Sequence, residues 1–484
     1  MEDETGHKNI PLIVAILPMI VLISLLASSV LVFGDNALAG ANQISLMSAA
    51  AFAGCLAAMR GLAWEKILDK IVHSIKVAIP AILILMLVGS LSGAWIISGI
   101  VPTMIYYGIA FIHPAVFLIV AVFLSSLVSL VTGSSWSTIA TIGVALMGIG
   151  ASLGLNPAII AGAIISGSYF GDKLSPLSDT TNLAAAVAGT DLFTHVKYML
   201  YTTVPSILIS LCLFGLLTVF SSNSGQPANA NELVSALEST FTISAWFMLV
   251  PVAVIVLIIK RVPALPALLA GTVLGLVCAL IFQRDLVMSI GGDVGGPIAQ
   301  AFGGVMRILF DSVQVETGNS VVDELLVTKG MSGMMGTVWL IISAMTFGGA
   351  MDAGGFLARI TSAIMSRAKS AGALVVATVG SSMFTNVTAS DQYLSVVVPG
   401  RMFAPAFEKA GLAPENLSRS IEDGGTVTSV LVPWNTCGAY VSGVLGISTF
   451  SYAPFAFFCI ISPFMSIAYA VFQIRIKRRE MNLA

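Results

Sequence analysis

Long uncharged apolar stretches alternate along this chain with short polar links. No Asp, Glu, Lys or Arg occurs over the 95 residues between Lys76 and Asp172, and 424–474 is a second such gap of 51. A helix crossing the hydrocarbon core needs about 20 apolar residues, so each gap holds more than one crossing. The runs predict helices over about 10–33, 43–59, 77–97, 198–220, 241–259, 264–283, 331–351 and 449–474. Two regions, about 157–190 and 414–446, are apolar but broken mid-way by polar residues. Two more, about 114–150 and 371–407, carry a Ser/Thr/Asn/Asp cluster at their centre. The links are 60–76, 221–240 and 284–330; the first has amphipathic spacing over 64–72 that suits the membrane surface.

The same landmarks occur twice, about 255 residues apart. SGAWIISGIVPTMIYYGIAFI (92–112) matches FGGAMDAGGFLARITSAIMSR (347–367) weakly. VTGSSWST (131–138) and LSPLSDTTN (174–182) are echoed by FTNVTASDQ (384–392) and SVLVPWNTC (429–437). If the two polar-centred segments are re-entrant hairpins, each half has five crossings. An odd number inverts the second half relative to the first, a hallmark of secondary transporters. The expected fold is an all-α polytopic membrane protein with two inverted five-crossing repeats. Residues 1–220 form the first repeat, with a hairpin and a broken helix. Residues 221–240 form an extracytoplasmic linker, and 241–484 form the second repeat.

Charge agrees with this topology. With both termini in the cytoplasm, only Arg284, Arg307 and Lys329 fall outside and Lys173 lies at membrane depth. All other basic residues, from Lys8 through Arg261 to Arg479, fall inside, as the positive-inside rule requires. The acidic start (Glu2, Asp3, Glu4) and the long apolar run after it read as a first transmembrane helix rather than a signal peptide.

Composition narrows the function. The 484 residues are 57% hydrophobic and 10% charged. A soluble domain is about 25% charged, so a soluble enzyme is excluded. The net charge of −2 gives no basic footprint for nucleic acid. Five scattered cysteines form no disulfide framework or metal cluster. No P-loop or HExxH motif supports ATP drive or zinc proteolysis, and no cofactor is expected.

Candidate chemistry lies where polar groups interrupt the apolar runs. Irregular backbone at membrane depth survives only where it is buried in protein or lines a wet site. The segment 171–182 is such a break, with Pro176 disfavouring helix at the preceding residue. Its carbonyls, hydroxyls, Asn182 amide and Asp179 carboxylate are hard oxygen donors suited to hard cations. The segment 432–437 is the matching break. Ionisable side chains inside a bilayer are functional candidates by default. Here they are Asp172, Lys173, Asp179, Asp391, Glu422 and Asp423. Asp179 is the leading ion and proton site, and it also suits the cap of the following half-helix. Asp172 and Lys173 could satisfy each other, or Asp172 could exchange protons. Asp391 fits a ligand, a proton carrier or an N-cap, and Asp423 a proton carrier or a structural group.

GSSWSTIATIGVALMGIG (133–150), GSYFGDKLSPLSDTTNLAAAVAG (167–189), SDQYLSVVVPGRMF (390–403), NLSRSIEDGGTVTS (416–429) and VPWNTCGAY (432–440) closely resemble the NhaC family of bacterial Na+/H+ antiporters. The likeness covers about 77–475. It implies a homodimeric, elevator-type carrier of the bacterial inner membrane that exchanges Na+, or Li+, for H+. The implied sodium site pairs Thr132, Ser134 and Ser135 with Asp179, Thr180 and Asn182. A pseudo-symmetric site would pair Asn386, Thr388 and Asp391 with Asn435 and Thr436. The alternative within the same resemblance is a malate/lactate-type carboxylate antiporter.

Overall fold

The computed structural model describes residues 10–33, 37, 40–111, 113–221, 230–260, 262–292, 295–319, 322–323 and 326–479. Glu2, Asp3, Glu4, Lys8, Arg261 and 222–229 of the acidic linker lie outside the described residues. Among the described residues every regular element is helical, and the extended pairing is an isolated bridge between Leu412 and Arg478. Among the described residues nine helices are long and apolar enough to cross a membrane, or eleven if two bent pairs each count as one span.

Most spans fall where the charge-free runs place them. They include Leu12–Phe33, Ala41–Met59, Ala264–Phe282 and Met335–Ala353. The link at 60–76 differs. Its amphipathic segment forms the first turns of a 34-residue helix, Trp64–Ile97. Charge ends at Lys76, but no residue there breaks a helix, and Pro80 is accommodated inside it. The link at 284–330 also carries helices, Arg284–Gly291 and Pro297–Phe310. The last span bends by 57° between Thr449–Phe455 and Phe457–Val471.

The two polar-centred segments are each a pair of helices joined by a tight turn. In the first, Pro114–Thr132 and Ser135–Ser152 meet at Gly133. In the second, Ala371–Thr388 and Gln392–Lys409 meet at 389–391. The two interrupted regions are broken helices. Pro157–Leu174 stops ahead of Pro176 and restarts as Asp179–Ala188. Pro414–Ile421 runs into a π-helical segment, Glu422–Thr426, and restarts as Thr436–Leu445. The helix starts follow local chemistry. Asn156 Oδ1 accepts from Ala158 N at 2.9 Å with Pro157 in the first turn, and Ser370 Oγ accepts from Ala373 N at 3.2 Å. Gly167 and Gly171 let Pro157–Leu174 lie directly on Pro114–Thr132, because a Cβ at either would overlap a carbonyl oxygen of that helix.

Candidate ion-binding site

Each hairpin tip rests on the break of its own half. Pro114–Thr132 ends in Gly133, held at φ 69°, whose N–H donates to Ser129 O at 2.8 Å. A Cβ on Gly133 would lie 2.6 Å from the carbonyl carbon of Leu177, so the first tip touches the first break. Ser134 then caps Ser135–Thr138, accepting from Ser137 N at 3.2 Å. Ser135 donates both its N–H (3.1 Å) and its hydroxyl (2.7 Å) to Asp172 Oδ2. The second tip is parallel in design. Ser390 takes a left-handed backbone at φ 59°, and its carbonyl accepts from Thr436 N at 2.9 Å. Asp391 caps Gln392–Lys409, accepting from Leu394 N at 3.0 Å.

Two aromatic residues cross between the halves. Tyr393, just past the second tip, donates its hydroxyl to Asp179 Oδ2 at 2.5 Å. Trp136, in the first tip, stacks on Tyr440 of the second broken helix with centroids 4.2 Å apart. Tyr440 also donates to the Trp136 carbonyl at 3.1 Å. Tips and breaks from both halves therefore converge.

They converge on a cavity of about 870 Å³. The first half supplies Thr132, Ser134, Asp172, Asp179 and Asn182 to its wall, and the second supplies Asp391, Gln392, Tyr393 and Thr436. Pro80, Ala81, Ile84 and Ile258 complete an apolar side. None of the described lining residues is Lys or Arg. Among the described residues no group of three or more His, Cys, Asp or Glu clusters as a metal centre. The side-chain oxygens of the described lining residues are hydroxyl, amide and carboxylate.

The carboxylates are held differently. Asp179 is exposed to the cavity and also accepts from Thr180 N at 3.0 Å. Asp172 is buried; its Oδ2 is occupied by Ser135, and among the described residues no hydrogen-bond partner reaches its Oδ1, although the Ser178 hydroxyl also interacts with the carboxyl. Asn182 donates to the carbonyls of Pro176 (2.9 Å) and Ser178 (2.6 Å), which splints the break. Glu422 lies fully buried behind the site and accepts a long 3.4 Å contact from the Thr180 hydroxyl.

Other expected residues sit one layer back. Asn386 donates to Gly425 O (2.5 Å) and Thr428 Oγ1 (3.0 Å), and accepts from Ser395 Oγ (2.7 Å) and Asn435 Nδ2 (3.0 Å). That fills an amide's capacity and ties the second tip to the second break. Asn435 caps Thr436–Leu445 through Cys437 N at 3.0 Å. The Thr388 hydroxyl donates to Phe384 O of its own helix at 2.9 Å. Asp423 lies outside the cavity wall, ion-paired with the fully buried Lys173. Asp423 also accepts from Ser462 Oγ at 2.6 Å and Thr202 Oγ1 at 3.1 Å. Lys173 therefore pairs with Asp423 and not with its neighbour Asp172. Sequence reading did not single out Tyr393 or Gln392; their position just after the second polar cluster was the available signal.

Residues 167–474 match the Na+/H+ antiporter family. The chain is 38% identical over 421 residues to the Na+/H+ antiporter NhaC of Alkalihalophilus pseudofirmus, covering 87% of this chain and 88% of that protein. It is 37% identical over 408 residues to the Na+/H+ antiporter NhaC of Bacillus subtilis, covering 84% and 87%. It is 36% identical over 428 residues to the malate-2H+/Na+-lactate antiporter of the same organism, covering 88% of each. An all-helical, multi-span chain with this identity over this length belongs to the Na+/H+ antiporter family.

Proposed function

We propose that the protein exchanges Na+, or Li+, for H+, and that cation and proton compete for the carboxylates of the central cavity. The carrying observation is the unpartnered Oδ1 of buried Asp172, on the same cavity as Asp179. A buried carboxylate oxygen without a partner is costly, and either a bound cation or a proton relieves the cost. Thr132, Ser134, Asn182 and the carbonyls of the break add hard oxygen donors, with Ser135 and Thr180 bracing the carboxylates. Asp391 and Thr436 offer a second, pseudo-symmetric set, with Thr388 on the same tip and the bonded pair Asn386 and Asn435 one layer back. Na+ is cargo here, and no resident cofactor is needed.

Two inverted repeats, 1–220 and 241–484 joined by the 221–240 linker, account for the parallel construction of the tips and breaks. Both hairpins would be re-entrant, and the hairpins and broken helices would move together as an elevator against the remaining helices. A homodimer in the bacterial inner membrane with cytoplasmic termini completes this reading. Protonation would discharge the site and release Na+, which disfavours empty crossings.

The test is proton flux in proteoliposomes driven by a Na+ pulse. Asp179→Asn is expected to lose it, whereas flux near the unsubstituted rate in folded protein would remove Asp179 from the mechanism. The malate/lactate reading draws on the 36% identity to the carboxylate antiporter. Among the described residues the cavity wall offers no Lys or Arg as a fixed counter-charge for a dicarboxylate. Lactate-driven malate uptake without Na+-driven proton movement would favour that alternative.

A further inference from the structure

A second cavity, of about 580 Å³, lies away from the ion site, between the first turns of Leu192–Ser221, the start of Pro414–Ile421 and the segment after Val471. Its wall includes Lys197, Tyr198, Tyr201, Glu415, Arg475 and Lys477. Beneath Tyr198 is Arg419, fully buried, with its guanidinium carbon 4.5 Å from the ring centroid. Among the described residues none of its three guanidinium nitrogens has a hydrogen-bond partner. A guanidinium is always charged and carries five donors, so burying it unpaired is costly unless an anion's field offsets the burial.

The pocket supplies little of that anion. Its carboxylate, Glu415, is already bonded to Lys477 at 2.7 Å, and its other oxygen is unpartnered. Asp191 lies at the rim near Lys197 and is held by Thr194 N at 3.0 Å. Among the described residues the wall thus carries three cations, Lys197, Arg475 and Lys477, against one carboxylate, Glu415, with the Arg419 charge buried behind Tyr198. A cleft lined by one sign of charge with low-dielectric walls concentrates that field.

The wall also holds backbone strain. Gln473 and Arg475 both take left-handed conformations, at φ 55° and 51°, although neither is glycine. Such strain persists where the surroundings over-determine it, commonly at ligand clamps. The following residues are pinned: Lys477 O accepts from Ala413 N at 3.0 Å and from Asn416 Nδ2 at 2.6 Å. The strained turn directs the Arg475 guanidinium over the Tyr201 ring, 4.6 Å from its centroid, at the pocket.

We propose that this pocket binds a phosphate group, and that the headgroup of an anionic phospholipid supplies it. Phosphate matches a set of Arg and Lys donors. The lipid assignment rests on place: the pocket opens beside the first turns of a transmembrane span, next to exposed Phe193, Val471 and Phe472, a surface for acyl chains. The site is separate from the ion cavity and does not depend on Na+/H+ exchange.

The experiment measures thermal unfolding of the full chain in neutral detergent with added phosphatidylglycerol, phosphatidylcholine or inorganic phosphate. A ligand that binds only the native state raises its apparent stability. Phosphatidylglycerol is expected to raise the midpoint by about 3 °C over phosphatidylcholine at saturation. The gain should vanish in the Lys197→Ala/Arg475→Ala double variant, which changes only exposed side chains. Equal stabilisation by phosphatidylcholine, or an undiminished gain in the double variant, overturns the proposal. A gain from inorganic phosphate matching that from phosphatidylglycerol, and lost in the same variant, supports the phosphate site while overturning the lipid as its source.

Discussion

Lys173 forms its ion pair with Asp423, 250 residues away in sequence, and leaves Asp172 beside it without a cation. The pair is fully buried and also bonded to Ser462 and Thr202. It ties the first broken helix to the second. Removing one member of such a pair strands a buried charge at a cost of roughly 3–5 kcal/mol, more than the net value of the pair itself. Lys173→Met should therefore be strongly destabilised, and Lys173→Met/Asp423→Asn much less so than the sum of the single changes. Thermal unfolding of the three variants checks this. Additive losses would mean that the two side chains act separately.

Asp172 offers a cleaner test of ion binding than of folding. In Asp172→Asn the amide oxygen can still accept from Ser135 N and Oγ, so the tip stays attached to its break. The amide NH2 then replaces the unpartnered Oδ1 and presents hydrogens to the cavity in place of a lone pair. The expected result is a stability change under about 1 kcal/mol with loss of the Na+-dependent rise in unfolding temperature. A full Na+ response in the variant would place the ion elsewhere.

If Asp179 binds the cation, the Tyr393 hydroxyl on its Oδ2 competes for that oxygen. Tyr393→Phe keeps the ring and removes that donor. A hydrogen bond to a charged group contributes about 1.5–3 kcal/mol, part of which water recovers in the open cavity. The half-saturating Na+ concentration for proton flux should fall by roughly 3- to 10-fold in the variant. A rise would show that Tyr393 positions the carboxylate for the ion rather than competing for it.

The sequence carries the parts of the site but not all of their partners. Missing charge marks the spans, and Pro176 and the polar clusters mark the breaks and tips, because those features act locally. Thr132, Asp179, Asp391 and Thr436 line one cavity, and each lies at a tip or break that the polar clusters mark. The Lys173–Asp423 pair is not marked in this way, since adjacent opposite charges in sequence suggest Asp172 as the partner. Helix geometry separates them: consecutive residues are about 100° apart around the axis, so they face different neighbours. Asn386 resembles a ligand by residue type, and only the packing of Gly425, Thr428, Ser395 and Asn435 around it reveals a cross-tie. Trp64–Ile97 starts ahead of the charge-free run because charge alone does not stop a helix, and no Pro or Gly lies between Trp64 and Lys76.

Contact between the first tip and the first break can be isolated with two glycines. Gly133 and Gly189 both have left-handed backbones, at φ 69° and 74°. A Cβ on Gly133 would press on Leu177 at 2.6 Å, while one on Gly189 meets nothing within 4 Å. Alanine at either position incurs the conformational penalty, about 1 kcal/mol. At Gly133 alone it also pushes the tip away from the break and moves Ser135 off Asp172. Gly133→Ala should therefore lose at least 10-fold in Na+-driven proton flux, while Gly189→Ala keeps flux within about 2-fold, since misplacement by about 1 Å can cost 100-fold in a pre-organised site. Flux measured at equal amounts of folded protein decides. Equal losses in the two variants would mean that backbone strain, and not the seating of the tip on Leu177, limits transport.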